Sequence, residues 1–346
     1  MLALPRRSLS ALLGGPTTAA TAVLVAGALT LFSLLLLTSG KSPLDTYQSL
    51  LGSTLGNAYG LGEVFVKLIP LLFTALAVTI PARLGLVNVG GEGQLHMGAL
   101  FSAAAALAFG AGTPGWLGLP VGLLAGMIGG AVWALVPALL RARGWLNETI
   151  STLLLNYVAL RVVDYFVYGA MRDPDSANVP QTRAFAAGFL WPSFAGRVHV
   201  GLVVALVALA VAAVVLSRTR WGYEIRAIGG NPVAAHRHGL PLAATTVVVL
   251  CAGGALAGLA GTGEIMAIQG RLRPHFSADY GYLGFLISWL AGHRPLRILV
   301  MGFLVAVIAT GGDSLQLDQG LPSATVNILM ALLLIVVLAR EGKRVA

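Results

Sequence analysis

The 346 residues are 57% hydrophobic and only 10% charged, well under half of the roughly 25% charged content of a soluble domain. Apolar runs of about 18–22 residues recur along the chain, long enough to cross a hydrocarbon core of about 30 Å, which excludes a soluble fold and indicates an all-α integral membrane protein. The formal charge of +9 resides at the edges of these runs, so it reads as membrane orientation and not as nucleic-acid binding. The single cysteine, Cys251, lies inside an apolar run, which leaves no intrachain disulfide and no basis for thiolate zinc chemistry.

In chain order, about ten transmembrane helices are expected. The first, near 19–38, follows Arg6 and Arg7 and lacks a small-residue cleavage site, so it reads as an uncleaved span. A polar, glycine-containing segment extends to about 62. Further spans are expected near 64–82, 94–111, 116–139 and 149–169. A polar loop over 171–197 carries Pro174, Pro180 and Pro192. The remaining spans are expected near 198–217, 242–262, 281–292, 298–312 and 323–339. The piece at 281–292 is short, and it would be tilted, broken or extended into Asp279–Tyr280.

With the N-terminus and C-terminus both cytoplasmic, fourteen Lys and Arg residues fall on the cytoplasmic side. These include Arg83, Arg141, Arg226, Arg294, Arg297 and the C-terminal REGKR cluster. Seven fall on the opposite side, and Arg161 lies within a span, which accounts for all 22. The bias supports an even number of spans. Gly118, Gly122, Gly126 and Gly130, and again Gly254 and Gly258, repeat at four-residue spacing. Such faces let helix backbones approach closely in lipid.

Hydrolytic, redox and metal chemistry find no support. No Ser, His and Asp residues group in a strand–turn context, and His236 and His238 do not share a helix face. Gly40-Lys41-Ser42 has the end of a phosphate loop, but Leu35 stands where that motif requires glycine. ATP-driven transport would therefore need a separate ATPase chain.

Polar groups inside apolar runs are costly, so they mark pathways or internal partners. Asn88, Glu92, Gln94 and His96 crowd together with Gly85, Gly90, Gly91, Gly93 and Gly98. This pattern fits a broken or re-entrant helix, acting either as pathway lining or as a hinge; a simple turn capped by Asn88 and Glu92 is the alternative. The fifth span opens with Asn147 and Glu148, suited to capping. Deeper in it, Asn156 is a pathway candidate, and Arg161 and Asp164 are spaced to pair. Glu264 and Gln269 complete the pathway set. With Arg271, Arg273, Ser277, Asp279, Tyr280, Asp313, Gln316 and Asp318 they fall on the outer side, where a binding protein could dock; an ordinary solvated loop is the alternative.

Arg218–Leu240 reads RTRWGYEIRAIGGNPVAAHRHGL. Asn231 suits an N-cap, Pro232 the first helical position and Gly239 the termination. The resulting helix of about two turns is too short to be stable alone and needs a docking surface.

Four stretches carry a family resemblance: ARLGLVNVGGEGQLHMGA (82–99), NETISTLLLNYVAL (147–160), YEIRAIGGNPVAAHRHGL (223–240) and GGALAGLAGTGEIMAIQGRL with FSADYGYLG (253–272 and 276–284). In these the chain resembles permease subunits of ABC importers for nucleosides and simple sugars, in the branch with ribose and branched-chain amino-acid permeases. It departs from the family pattern at LISWLAGHRPLR (286–297), with Trp289 and His293, and in the last loop.

The resemblance implies a single permease domain over 1–346, in the cell (inner) membrane, with no enzyme activity and no cofactor of its own. The implied partners are membrane lipid, a second identical or similar permease, an extracytoplasmic substrate-binding protein over the 171–197 side, and an ABC ATPase that uses ATP. The cytoplasmic loop 218–241 would then couple to the ATPase through Tyr223, Glu224, Arg226, Gly229, Asn231, Pro232, Ala235, Arg237 and Gly239. Nucleosides, or simple sugars, would be the substrates. An ion-coupled secondary transporter of small polar solutes is the alternative, but Glu92, Asp164 and Glu264 lie only near span ends. A scaffold without transport does not explain the polar stretch at 85–98.

Overall fold

The computed structural model describes residues 16–176 and 179–321, together with 325, 327–329, 331 and 332. Arg6, Arg7, the C-terminal basic cluster and most of the expected tenth span lie outside the described residues. Twelve helices occur among the described residues before position 320. They are α1 Pro16–Thr38, α2 Pro43–Leu55, α3 Ala58–Ala82, α4 Gly91–Phe109, α5 Gly115–Ala142, α6 Glu148–Tyr168, α7 Gly201–Arg218, α8 Arg220–Gly230, α9 Pro232–Arg237, α10 Leu242–Gly263, α11 Tyr280–Leu290 and α12 Pro295–Gln319. A π-helical turn, Glu264–Gln269, extends α10. Six of these helices are long and apolar enough to cross a membrane, namely α3, α5, α6, α7, α10 with its π-turn, and α12.

Two compact units divide the chain: 1–57 with 307–346, and 58–306. In the first, α1 and α2 meet through Phe32 and Tyr47, with ring centroids 6.1 Å apart. The Tyr47 hydroxyl donates to Leu29 O at 3.1 Å. The polar segment expected to run to 62 is in fact α2 and the start of α3. Ser42 caps α2 and Pro43 begins it, a start signal that its low hydrophobicity obscures.

In the second unit α3 is central. Every residue from Leu68 to Pro81 is buried, as expected for a helix that is apolar all round. α5 and α10 interlock through their glycines. A Cβ added at Gly130 would overlap Gly254 O, and one at Gly258 would overlap Gly126 O. Ser102 of α4 joins the same seam, donating to Gly122 O at 2.9 Å and pairing with Thr262 at 2.8 Å. α3 is held to α11 by Thr74, which donates to Tyr280 O at 2.9 Å, and by Thr79, 2.7 Å from the Ser288 hydroxyl. With 11 residues, α11 is short, as its sequence indicated.

The 171–197 segment is more structured than a polar loop. Ser193–Ala195 (β1) and Val198–His199 (β2) form an antiparallel hairpin. The sixth expected span accordingly begins at Gly201, not at 198. Backbone bonds tie this segment to the chain after α10: Thr182 N to Leu272 O at 3.0 Å, Phe185 N to Gly270 O at 2.9 Å and Trp191 N to Met266 O at 3.1 Å. The hairpin is a small addition to an otherwise helical fold.

Candidate functional site

The break between α3 and α4 organises the second unit. Pro81 and the left-handed Gly85, at φ +80°, end α3 in a tight turn. Glycine takes that conformation without a Cβ penalty. Residues 86–89 are irregular, and α4 starts at Gly91. An irregular stretch inside a packed bundle leaves backbone groups without helical partners, and each must be satisfied from elsewhere.

The partners come from α6. Val87 N donates to Glu148 Oε1 at 3.2 Å, Val89 N to Thr152 Oγ1 at 3.2 Å and Gly93 N to Asn156 Oδ1 at 2.8 Å. Asn156 Nδ2 donates back to Val89 O at 2.9 Å. The geometry follows from two repeats. Four residues of helix rise about 6.0 Å, and two residues of extended chain span about 6.6 Å. Glu148 and Thr152 therefore step in register with Val87 and Val89, and Asn156, one turn further on, reaches Gly93 in the first turn of α4. Gly93 leaves room for this contact, since a Cβ there would lie 2.9 Å from Asn156 Oδ1.

The remaining polar side chains close the knot. Asn88 and Gln94 exchange two amide hydrogen bonds, both 3.1 Å, and Asn88 Nδ2 also donates to Ala77 O at 3.1 Å. Glu92 Oε2 accepts from Gly281 N, at the start of α11, at 2.7 Å. His96 Nδ1 is 2.8 Å from Glu92 O, and its ring packs on Phe276 at 4.7 Å. Asn88, Glu92, Gln94, His96, Thr152 and Asn156 are all buried. Arg141 completes the edge as an ion pair with Glu148, at 3.0 Å.

Two short helices press on this break. Asn231 caps α9 by accepting from Ala234 N at 3.0 Å, Pro232 opens it and Gly239 follows in the left-handed conformation. Thr219 caps α8, accepting from Gly222 N at 3.1 Å. Ile225, Ile228 and Ala235 are buried in one cluster with Ile80, Leu84, Leu86, Val249 and Leu250. Gly229 faces the turn after α3, and a Cβ there would lie 2.5 Å from Arg83 O. The opposite faces are open, with Tyr223 at 66% and Val233 at 65% exposure, and Arg226 and Arg237 also exposed. Arg220 pairs with Glu224 at 2.9 Å.

At the other end of α10, Glu264 and Gln269 lie on the π-turn. Gln269 donates to Phe276 O at 3.1 Å. Met266 is buried and occupies the groove left by Gly122. His199 of the hairpin stacks edge-on against Trp191 and accepts at Nδ1 from Gly201 N, at 3.2 Å. Among the described residues no group of His, Cys, Asp and Glu could hold a metal ion.

The family of permease components of branched-chain amino acid transport systems matches residues 60–338. The chain belongs to this permease family. The permease is 35% identical to a glucose ABC transporter permease protein of Haloferax volcanii, over 97% of the chain and 90% of that relative. A nucleoside ABC transporter permease protein of Lactococcus lactis is 30% identical over 86% of the chain and 84% of its own length. A guanosine ABC transporter permease protein of Bacillus subtilis is 28% identical, with 88% of each covered. With its long apolar helices, the permease is a multi-pass protein of the cell membrane.

Of the six pathway candidates, the permease gathers Asn88, Glu92, Gln94 and Asn156 into one knot. Glu264 and Gln269 sit apart at the end of α10, where Gln269 bonds the carbonyl of Phe276, whose ring packs on His96. Glu148, read from sequence as a dipole partner, does lie in the first turn of α6 and also receives the Val87 N–H, while Asn147 caps α6, accepting from Thr149 N at 2.7 Å. Thr152 and Gly281 were missed. The signal for Thr152 was present in the four-residue spacing of Glu148, Thr152 and Asn156. Nothing local marks Gly281, whose role depends on contact with Glu92 across the fold. Arg161 and Asp164 pair as spaced, at 2.9 Å. Trp289 and His293 stack at 5.0 Å and, with Val78, Ala82, Gly85, Leu86 and Val87, line a cavity of about 170 Å³ beside the break.

Proposed function

We propose that this permease forms half of the translocation pathway of an ATP-driven importer whose substrate carries a hydroxylated sugar ring, a nucleoside or a simple sugar. The names of its relatives, which cover glucose, guanosine and nucleosides, share that ring. About ten spans with both termini cytoplasmic fit the loop-charge bias. The chain would work beside a second permease, with a binding protein on the 171–197 side. ATP would be used by a partner ATPase, and the permease would need no cofactor of its own.

One observation carries the reading. α8 and α9 are too short to stand alone, yet they are seated by their inner faces on the span ends, and their outer faces are open. Gly229 puts α8 in backbone contact with the turn after α3. A push delivered to the outer faces by a closing ATPase pair would therefore reach the break between α3 and α4 without an intervening side chain. Packed elements of this kind pass on displacement as rigid bodies. Tyr223, Glu224, Arg226, Gly229, Asn231, Pro232, Ala235, Arg237 and Gly239 make up this coupling element. Asn88, Glu92, Gln94 and Asn156 are the pathway hinge, and Glu264 and Gln269 belong to its outer end.

The test is uptake of labelled nucleosides, glucose and branched-chain amino acids in cells carrying either the native permease or a variant with Pro232–His238 replaced by a Gly/Ser linker. The native chain should import a nucleoside or sugar. The linker variant should reach the membrane but lose both uptake and the bound ATPase. Uptake that survives with the ATPase still bound would refute the coupling assignment.

A further inference from the structure

Four arginines converge beyond the end of α3. Arg83 follows α3, Arg226 lies on α8, Arg294 precedes α12 and Arg297 is in its first turn. Together with Ala213 and Leu216 of α7 they line an open cavity of about 540 Å³, and no carboxylate is among the lining residues. Arg226 Nη1 donates to Leu216 O at the end of α7. Arg83 Nε is buried without a hydrogen-bond partner. Burial, and then the charges of Arg294 and Arg226, push the Arg83 guanidinium below its ordinary pKa. Like charges crowded around an unused buried donor call for an anion, and guanidinium groups match phosphate oxygens in geometry.

The walls beside the cavity are apolar and open. Leu296, Val300 and Leu304 recur at four-residue spacing on α12, exposed by 74%, 56% and 50%, and Val207, Val211 and Val214 are exposed on α7. Both helices are of membrane-spanning length. The loop-charge bias assigns all four arginines to the cytoplasmic side, where anionic lipid attracts basic clusters. A free phosphate ion would use the arginines and leave both stripes bare, whereas an amphipathic anion uses both.

We propose that this cavity binds the phosphate of an anionic membrane lipid, with its acyl chains along the outer faces of α7 and α12. Since Arg226 is on α8 and the Arg83 carbonyl packs against Gly229, a bound headgroup would clamp the coupling element to α3 and α12. The site accounts for Arg294 and Arg297, which lie in the stretch that departs from the family pattern.

The full-length permease in detergent, titrated with phosphatidylglycerol or phosphatidylcholine and read by native mass spectrometry, tests this. Phosphatidylglycerol should be retained in preference. Arg294→Gln and Arg297→Gln should each weaken retention about fivefold, the effect of one basic residue near an anionic surface. Both positions are exposed, so neither variant threatens the core, and Arg161→Gln serves as a control that should change nothing. A large excess of inorganic phosphate should not displace the lipid. Equal retention of the two lipids, unchanged retention when Arg294→Gln and Arg297→Gln are combined in one double variant, or full displacement by phosphate would overturn the proposal. Loss of the ATPase from membranes of the double variant, with lipid preference intact, would also overturn it and assign the cavity to a protein partner.

Discussion

Asn156→Ala isolates what the polar knot does. The side chain is fully buried. It accepts from Gly93 N at 2.8 Å and donates to Val89 O at 2.9 Å and to the Tyr282 hydroxyl at 3.3 Å. Alanine removes all three bonds, leaving the buried Gly93 N–H and the half-buried Val89 carbonyl with no replacement. The orphaned buried N–H costs about 1–3 kcal/mol and the half-buried carbonyl less, so the substitution should cost about 2–4 kcal/mol. Tyr282→Phe removes only the longest bond and should cost under about 1 kcal/mol. Asn156→Asp keeps the acceptor for Gly93 and loses the donor to Val89, so it should resemble alanine more than tyrosine loss. Thermal unfolding of the purified permease measures the series, with an expected fall of roughly 5 °C or more for alanine. Uptake should fall in parallel, since the hinge is what loosens. An alanine variant with wild-type stability would show that α6 does not hold the break, and the hinge reading would fail with it.

Two further expectations follow from the packing and from the hairpin. Gly130→Ala inserts a methyl group into the Gly254 carbonyl. Because the obstacle is backbone, α5 and α10 must separate, costing about 1–3 kcal/mol. The yield of folded protein should drop, while Gly112→Ala, where an added Cβ meets nothing, should be neutral. His199, in the hairpin before α7, has its pKa pushed down to about 4 by burial. Stability should be full above pH 6.5 and decline as pH falls toward 4, because the unfolded chain gains a proton that the folded hairpin refuses. The loss should reach about 2 kcal/mol by pH 5. Hydrogen exchange of the hairpin from pH 7 to 5, compared with His199→Gln, reads this directly; equal slopes in the two proteins would remove His199 as the cause.

Much of the local architecture was legible from residue order. The cap at Asn231, the opening at Pro232 and the stop at Gly239 depend on neighbours within one or two turns, and all three stand as read. The glycine faces on α5 and α10 were legible for the same reason, since four-residue spacing alone puts small residues on one side. α2 and the 193–199 hairpin were not. Their segments are polar and short, and they carry neither the length nor the periodicity that marks a span. α8 was not legible because Gly222, Gly229 and Gly230 are weak helix formers, although Thr219 offers a cap as good as Asn231.

The sequence by itself determined that the chain belongs in a membrane, that its helices can pack closely and that a short capped helix interrupts the apolar runs. These follow from composition and from spacing within one element. Tertiary structure decided that 148, 152 and 156 serve 87, 89 and 93, that Glu92 meets Gly281, and that Gly229 rests on Arg83. Such pairings join positions between 61 and 189 residues apart. No local pattern specifies them, because a buried backbone group takes whichever partner the packing of distant helices brings within reach.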